Sequence, residues 1–223
     1  MQSYQDLIAI LITAFAVVLS WCIALGLKKI GFKGRETRNF LHFVAGLWGL
    51  LWLNFQSHWI ASLIAFLAVL TLMVVLFWKK FSFLNTLAQP FSCDHDGKWG
   101  VLLFAFSLFL ITLLFWDKKS MGTAVIFSLS LGDGLADAVG SRFGRTSIHL
   151  PWNRKKTVEG GLACFLGATV AIYSGFWLTG HPLPLHIPLL GGVICAIVEA
   201  LSPSELDNLL ISVFLSAFLF LVS

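Results

Sequence analysis

The stretch Leu7–Leu27, LIAILITAFAVVLSWCIALGL, runs without a single charged residue. At about 1.5 Å of rise per residue, a helix of this length crosses the ~30 Å hydrocarbon core of a bilayer. It has no basic stretch ahead of it and no small-x-small cleavage site behind it. It is therefore expected to be a span and not a cleavable signal. No Ser/Arg-rich transit peptide precedes it, which favours a bacterial chain or a mature organellar one, in a plasma or thylakoid membrane.

Similar apolar runs recur to the end of the 223 residues, 58% of which are hydrophobic and only 12% charged. Soluble domains carry nearer 25% charged residues. In lipid, backbone polar groups are satisfied within a helix. The expected fold is thus all-α, a polytopic transmembrane bundle forming a single integral membrane domain over 1–223. About eight spans (seven to nine) are read at 6–27, 40–55, 59–78, 99–116, 121–139, 160–178, 185–201 and 207–222. The four cysteines are scattered without a CxxC spacing, and read as small packing residues.

Thirteen of the fifteen Lys and Arg residues fall in three stretches, Lys28–Arg38, Lys79–Lys98 and Arg142–Lys156. Threaded through eight spans, all three lie on one side, with only Lys118 and Lys119 opposite. The positive-inside rule makes that side cytoplasmic and puts both termini outside. The net charge of +4 is explained by this bias, and no nucleic-acid partner is expected. The oligomeric state has no signature.

Three groups of polar residues border the spans on the basic side. The first is Leu131-Gly132-Asp133-Gly134-Leu135-Ala136-Asp137-Ala138-Val139-Gly140-Ser141-Arg142-Phe143-Gly144. Asp133 and Asp137 share a helix face at i,i+4. Ionised carboxylates beside hydrocarbon are costly unless paired or metal-bound. A divalent cation turns their repulsion into a site, and magnesium takes one or two carboxylates plus phosphate oxygens. The alternative is a structural acid pair bonded to Arg142, Arg145 or a neighbouring helix. Gly132, Gly134, Gly140 and Gly144 permit close approach, either of a nucleotide or of another helix.

The second group, Pro151-Trp152-Asn153-Arg154-Lys155-Lys156-Thr157-Val158-Glu159-Gly160-Gly161, opens the sixth span. Consecutive cations at a helix start oppose the helix dipole but suit a polyphosphate, unless they are only a topology signal. The third is Glu199 at the end of span seven with Asp207-Asn208 at the start of span eight. Asp207 can be a cap, whereas an acid near a helix C-terminus is unfavourable and needs another reason. His42, just inside span two, faces the same compartment and reads either as a packing residue or as part of the site.

These strings resemble the polyprenol kinases, the family of phytol, farnesol and dolichol kinases. Gly132-Asp133-Gly134-Leu135-Ala136-Asp137 through Arg142-Phe143-Gly144 resembles their core motif, closest to that of phytol kinases. Lys156-Thr157-Val158-Glu159-Gly160 resembles their Lys-Ser-x-Glu-Gly element, and Glu199 with Asp207-Asn208 their C-terminal element. The resemblance covers about 95–222. It implies a kinase that uses CTP with Mg²⁺ to phosphorylate a long-chain prenyl alcohol drawn from the lipid bilayer, at the cytoplasmic face. Asp133 and Asp137 would hold the metal. Gly132, Gly140, Arg142, Gly144, Lys155 and Asn208 would meet the nucleotide, with Lys156 clamping phosphate. Glu159, Asp207 or His42 would orient or deprotonate the alcohol, and Glu199 is a further candidate. Lys155-Lys156-Thr157 also resembles the phosphatidate cytidylyltransferases, whose Gly-rich C-terminal signature is missing here. A small membrane transporter is the second alternative, and would place acids near the midplane.

Overall fold

A computed structural model of the chain describes residues 2–78, 82–91, 97–203 and 205–222. It is an all-α membrane bundle. Its helices are α1 (Gln2–Lys29), α2 (Gly34–Ala45), α3 (Trp48–Leu51), α4 (His58–Phe77), α5 (Ser82–Ala88), α6 (Gly97–Leu114), α7 (Lys119–Phe127), α8 (Gly134–Phe143), α9 (Val158–Leu178), α10 (His186–Leu201) and α11 (Asp207–Val222). A widened π turn, Ser128–Asp133, joins α7 to α8 in one continuous rod. Five segments are long and apolar enough to cross a membrane: Ser3–Lys29, His58–Phe77, Gly97–Leu114, Trp116–Phe143 and Val158–Leu178. The apolar helices α10 and α11 are shorter.

The span expected at 40–55 is not one apolar helix. It is broken into α2, α3 and a 3-10 turn over Trp52–Asn54. The break falls at Gly46 and Leu47, whose N–H groups donate to the Phe43 and Val44 carbonyls, and where Gly46 packs so closely on Ser130 that a Cβ would strike its Oγ. The fifth span also runs on to Phe143, beyond its expected end. A second correction concerns the 140–159 connection. It contains an antiparallel hairpin, β1 (Ser147–Leu150) with β2 (Asn153–Thr157), pairing Ser147 with Thr157 and Ile148 with Lys156. The cations Arg154–Lys156 therefore sit on a strand and not in the first turn of a helix.

The rod α7–α8 is the centre of the bundle, with Val125, Ile126 and Leu129 closed to solvent. Helix α9 lies along it at a distance only small residues allow. A Cβ on Gly175 would come within 2.6 Å of the Ala124 Cα, and one on Gly167 within 2.8 Å of the Leu131 carbonyl oxygen. Such small-residue contacts are how membrane helices gain van der Waals packing. At one end of the bundle Asp6 accepts the Gln56 N–H at 2.7 Å, Lys119 donates to the Phe55 carbonyl, and Ser120 meets His181. At the other, Lys28 donates to the Gln89 carbonyl, Thr37 to that of Pro90, and Arg142 pairs with Glu36. The connections thus alternate ends as the threading requires.

Candidate active site

Helix α1 packs on α2 and α3, and α4 packs on α6; a chamber of about 940 Å³ lies between these two groups. Its size falls at the upper end of small-molecule sites, roughly 300–1,000 Å³. The chamber has two chemically distinct ends. The end near the basic loops is lined by Arg35, Arg38, His42, Asp133, Asp137, Lys156, Glu199, Asp207 and Asn208. The other end is an apolar arm along Ala16, Val17, Trp48, Leu51, Ile64, Ala65, Ala68, Leu72 and Leu108.

At the charged end, spacing along α2 does the positioning. Arg35, Arg38 and His42 fall at i, i+3 and i+7, one face of a helix. Arg35 forms an ion pair with Asp137, its Nε lying 3.0 Å from Oδ1 and 3.2 Å from Oδ2. Arg38 reaches the same carboxylate at 3.3 Å. One turn earlier on the rod, Asp133 Oδ2 is 3.6 Å from His42 Nε2. Lys156 enters from the hairpin and binds two acids at once, Glu199 at 2.7 Å and Asp207 at 2.8 Å. Burial alone would depress its ammonium, but the Asp207, Glu199 and Asp133 carboxylates hold it above the usual lysine range. Lys156 is a permanent cation at this site.

The π turn sets the histidine. Ser130 Oγ donates to the carbonyls of His42 and Phe43, both at 3.0 Å, which seats α2 against the turn. His42 Nε2 lies 2.9 Å from the Leu129 carbonyl oxygen. A carbonyl can only accept, so Nε2 is the donor nitrogen, and in the neutral ring Nδ1 would hold the lone pair. The ring stands where the charged end meets the arm, 4.0 Å from the Phe104 ring between centroids.

Three buried polar atoms on the chamber wall have no partner among the described residues: Trp21 Nε1, Glu199 Oε2 and Asn208 Oδ1. Buried polar groups are normally satisfied, so these three leave hydrogen-bonding capacity in the residues of the chamber wall that the protein does not itself use. No group of three or more His, Cys, Asp or Glu side chains forms a ready metal cage among the described residues. Magnesium does not require one, since phosphate oxygens and water complete its octahedron. Asp137 is already matched by two arginines. Asp133 and the unpartnered Glu199 Oε2 and Asn208 Oδ1 are the oxygens whose chemistry fits a hard divalent cation.

Not every expected residue reaches the chamber. Gly140 lines it, beside Thr157. Arg142, Gly144 and Glu159 instead line a separate shallow hollow together with Arg145. Helical phase explains this: five residues at about 100° each carry Arg142 well round α8 from Asp137, and it pairs with Glu36. Glu159 accepts the Thr146 N–H at 3.2 Å and secures the hairpin. Gly132 faces α9, where a Cβ would lie 3.2 Å from Ala168 Cβ. A Cβ on Gly144 would strike Thr157 Cγ2 at 2.6 Å. Both glycines serve packing between chain segments. The first turn of α9 is also occupied, because the Gly160 N–H donates to Thr157 Oγ1 at 3.1 Å. The side chain of Lys155 lies outside the described residues.

Sequence reading overlooked Arg35, Arg38 and Glu205. The arginines were absorbed into a topology signal, although their phase with His42 could have raised them. Glu205 lines the chamber from the α10–α11 connection with φ at 86°, a left-handed conformation uncommon outside glycine. Nothing in its neighbours announces that.

Fold and site together define a helical membrane protein with a charged catalytic-type pocket opening into an apolar one. Comparison with curated proteins adds the relatives. The chain is 30% identical over 153 residues to a probable chloroplastic phytol kinase of Triticum aestivum, covering 64% of this chain and 47% of that protein. It is 28% identical over 175 residues to one of Zea mays, covering 74% and 53%. A chloroplastic farnesol kinase of Arabidopsis thaliana is 35% identical over 78 residues, 33% of this chain and 25% of the relative. The chain spans about half the length of the first two. Its curated homologues are thus phytol and farnesol kinases of the polyprenol kinase family, at modest identity over much of the chain. No protein-family model matches, and no solved structure does.

Proposed function

We propose that this protein phosphorylates a long-chain isoprenoid alcohol, phytol or one like it, with CTP as donor and Mg²⁺ as cofactor, at the cytoplasmic or stromal face of its membrane. The observation that carries this reading is the two-ended chamber, which offers one end to a polyanion and the other to a hydrocarbon chain. The names of the relatives supply the reaction type. They are described as chloroplastic, which favours a plastid membrane over a bacterial one.

Phosphoryl transfer asks for positioning and charge neutralisation more than for covalent chemistry. With its tail in the arm, the alcohol presents its hydroxyl beside His42 and Asp133. Its oxygen forms a bond to the γ-phosphorus while the bond from that phosphorus to the β-bridging oxygen breaks, releasing CDP. The hydroxyl proton passes to His42 Nδ1. Arg35, Arg38 and Lys156 face the phosphates. A magnesium ion held by Asp133, Glu199 and Asn208 would neutralise phosphate charge. The acids gather at one end of the chamber, which supports an enzyme over a transporter with acids at the midplane.

The decisive experiment gives membranes phytol with CTP labelled in either the γ or the α position. Label from the γ position alone should enter a lipid monophosphate. Label entering lipid from the α position, with phosphatidic acid as acceptor, would instead identify a cytidylyltransferase.

A further inference from the structure

The apolar arm has a built end wall. From His42 to Leu51 the chain runs away from the charged end through the last turn of α2 and the whole of α3. There the arm meets Trp48, Leu51, Ile64 and Leu108. Beyond this wall lies solid core, since Trp52 is wholly buried and Phe55 is 1% exposed.

Trp48 is held through both its N–H and its ring. Its Nε1 donates to Thr112 Oγ1 at 2.8 Å, and that hydroxyl donates onward to the Leu108 carbonyl at 2.8 Å. Its ring is braced by Phe55 at 5.9 Å between centroids. The backbone under it is equally fixed. A Cβ on Gly49 would lie 2.8 Å from Phe127, so α3 rests directly on the central rod. These contacts fix the indole from its polar edge, its ring face and its backbone.

We propose that Trp48, clamped by Thr112, is a chain-length gauge: it ends the arm and sets how long an alcohol can be accepted with its hydroxyl at His42. This rests on the reading of the chamber as the site of a lipid alcohol. A longer chain would either press against the indole or leave its hydroxyl short of the charged end. A shorter one would leave the arm part-filled and lose apolar contact.

The test uses the full-length protein in detergent–lipid micelles and an alcohol series lengthening by one isoprene unit at a time from farnesol. Two quantities are read: kcat/KM for phosphorylation, and stabilisation against heat by each alcohol without nucleotide. In the wild type both should rise with length and then fall or level off. Trp48→Ala should move that limit to longer alcohols and change the ratio of long to short substrate by about tenfold or more, the scale of a few methylenes in an apolar pocket. Leu51→Ala, in the same wall, should move it in the same direction. Thr112→Val, which removes only the clamp, should blur the limit.

An unmoved limit in both Trp48→Ala and Leu51→Ala overturns the gauge. The stabilisation series separates this from the reaction. A limit that shifts in the variants while no alcohol is phosphorylated keeps the gauge and removes the kinase. Phosphorylation with the same length profile in every variant keeps the kinase and removes the gauge.

Discussion

Lys156 and Glu199, forty-three residues apart in the chain, lie 2.7 Å apart in the fold and nearly out of reach of solvent. That pair ties the β-hairpin to the end of α10, and Asp207 extends the tie to the start of α11. A charge left alone in such a place is more costly than the pair is favourable.

Removing the lysine should therefore damage stability as well as activity. Lys156→Met is expected to cost about 3–5 kcal/mol, the scale for stranding one partner of a buried pair. Adding Glu199→Gln and Asp207→Asn should return much of the stability and none of the turnover. Unfolding in mixed micelles, read beside phosphorylation rates, separates the two.

Asp133→Asn should lower activity at least about 10²-fold, as losing one preorganised electrostatic group commonly does, with the protein still inserted in normal amounts. His149→Ala, exposed on β1, should be nearly silent. Near-wild-type turnover of Asp133→Asn would remove Asp133 from the metal and phosphate reading.

Arg35 grips Asp137 through a forked guanidinium, which an ammonium cannot reproduce. Arg35→Ala should raise KM for the nucleotide more than it lowers kcat, and Arg35→Lys should restore only part of the loss. Equal rescue by lysine would show that only a point charge is needed.

Packing on α9 makes a matched pair of substitutions. Gly175→Ala forces a Cβ onto the Ala124 backbone and should destabilise by about 1–3 kcal/mol. Gly161→Ala meets nothing within 4 Å and should be neutral or gain up to about 1 kcal/mol in helix stability.

Topology is open to labelling. In a cysteine-free background, Ser3→Cys should react from the outer side and Ser147→Cys only from the side where the nucleotide is supplied. Both positions are exposed. Reaction of position 147 from the outer side would reverse the orientation.

The long apolar segments were legible because hydrocarbon demands uninterrupted runs, and Val158–Leu178 or His58–Phe77 can be nothing else. The broken passage through α2 and α3 was not, since its polar face is satisfied by Asp137, 102 residues away from Arg35. The hairpin was hidden for a similar reason: it is short, carries its charges in a row, and is anchored by Trp152 donating to the Leu201 carbonyl. Asp133, Asp137, Lys156, Glu199, Asp207 and Asn208 could be picked out because acids and cations at the ends of spans need a reason to be there. Their sorting into one chamber, away from Arg142 and Glu159, depends on helical phase across several elements, which a single chain does not display.

The π turn also has a consequence for how the protein can change. A turn of that width holds one more residue than an α turn, so it takes up an extra residue inside the central rod without ending the helix. Excising one residue between Ser128 and Leu131 would let the rod wind as an ordinary α-helix at about 100° per residue, with α8 keeping close to its present phase relative to α7. The groups that the wide turn itself presents, the Leu129 carbonyl beside His42 and the Ser130 hydroxyl that seats α2, would lose their places while Val125 and Ile126 kept theirs. The extra residue is thus absorbed locally, and what hangs on that one count is the seat of His42 on the central rod.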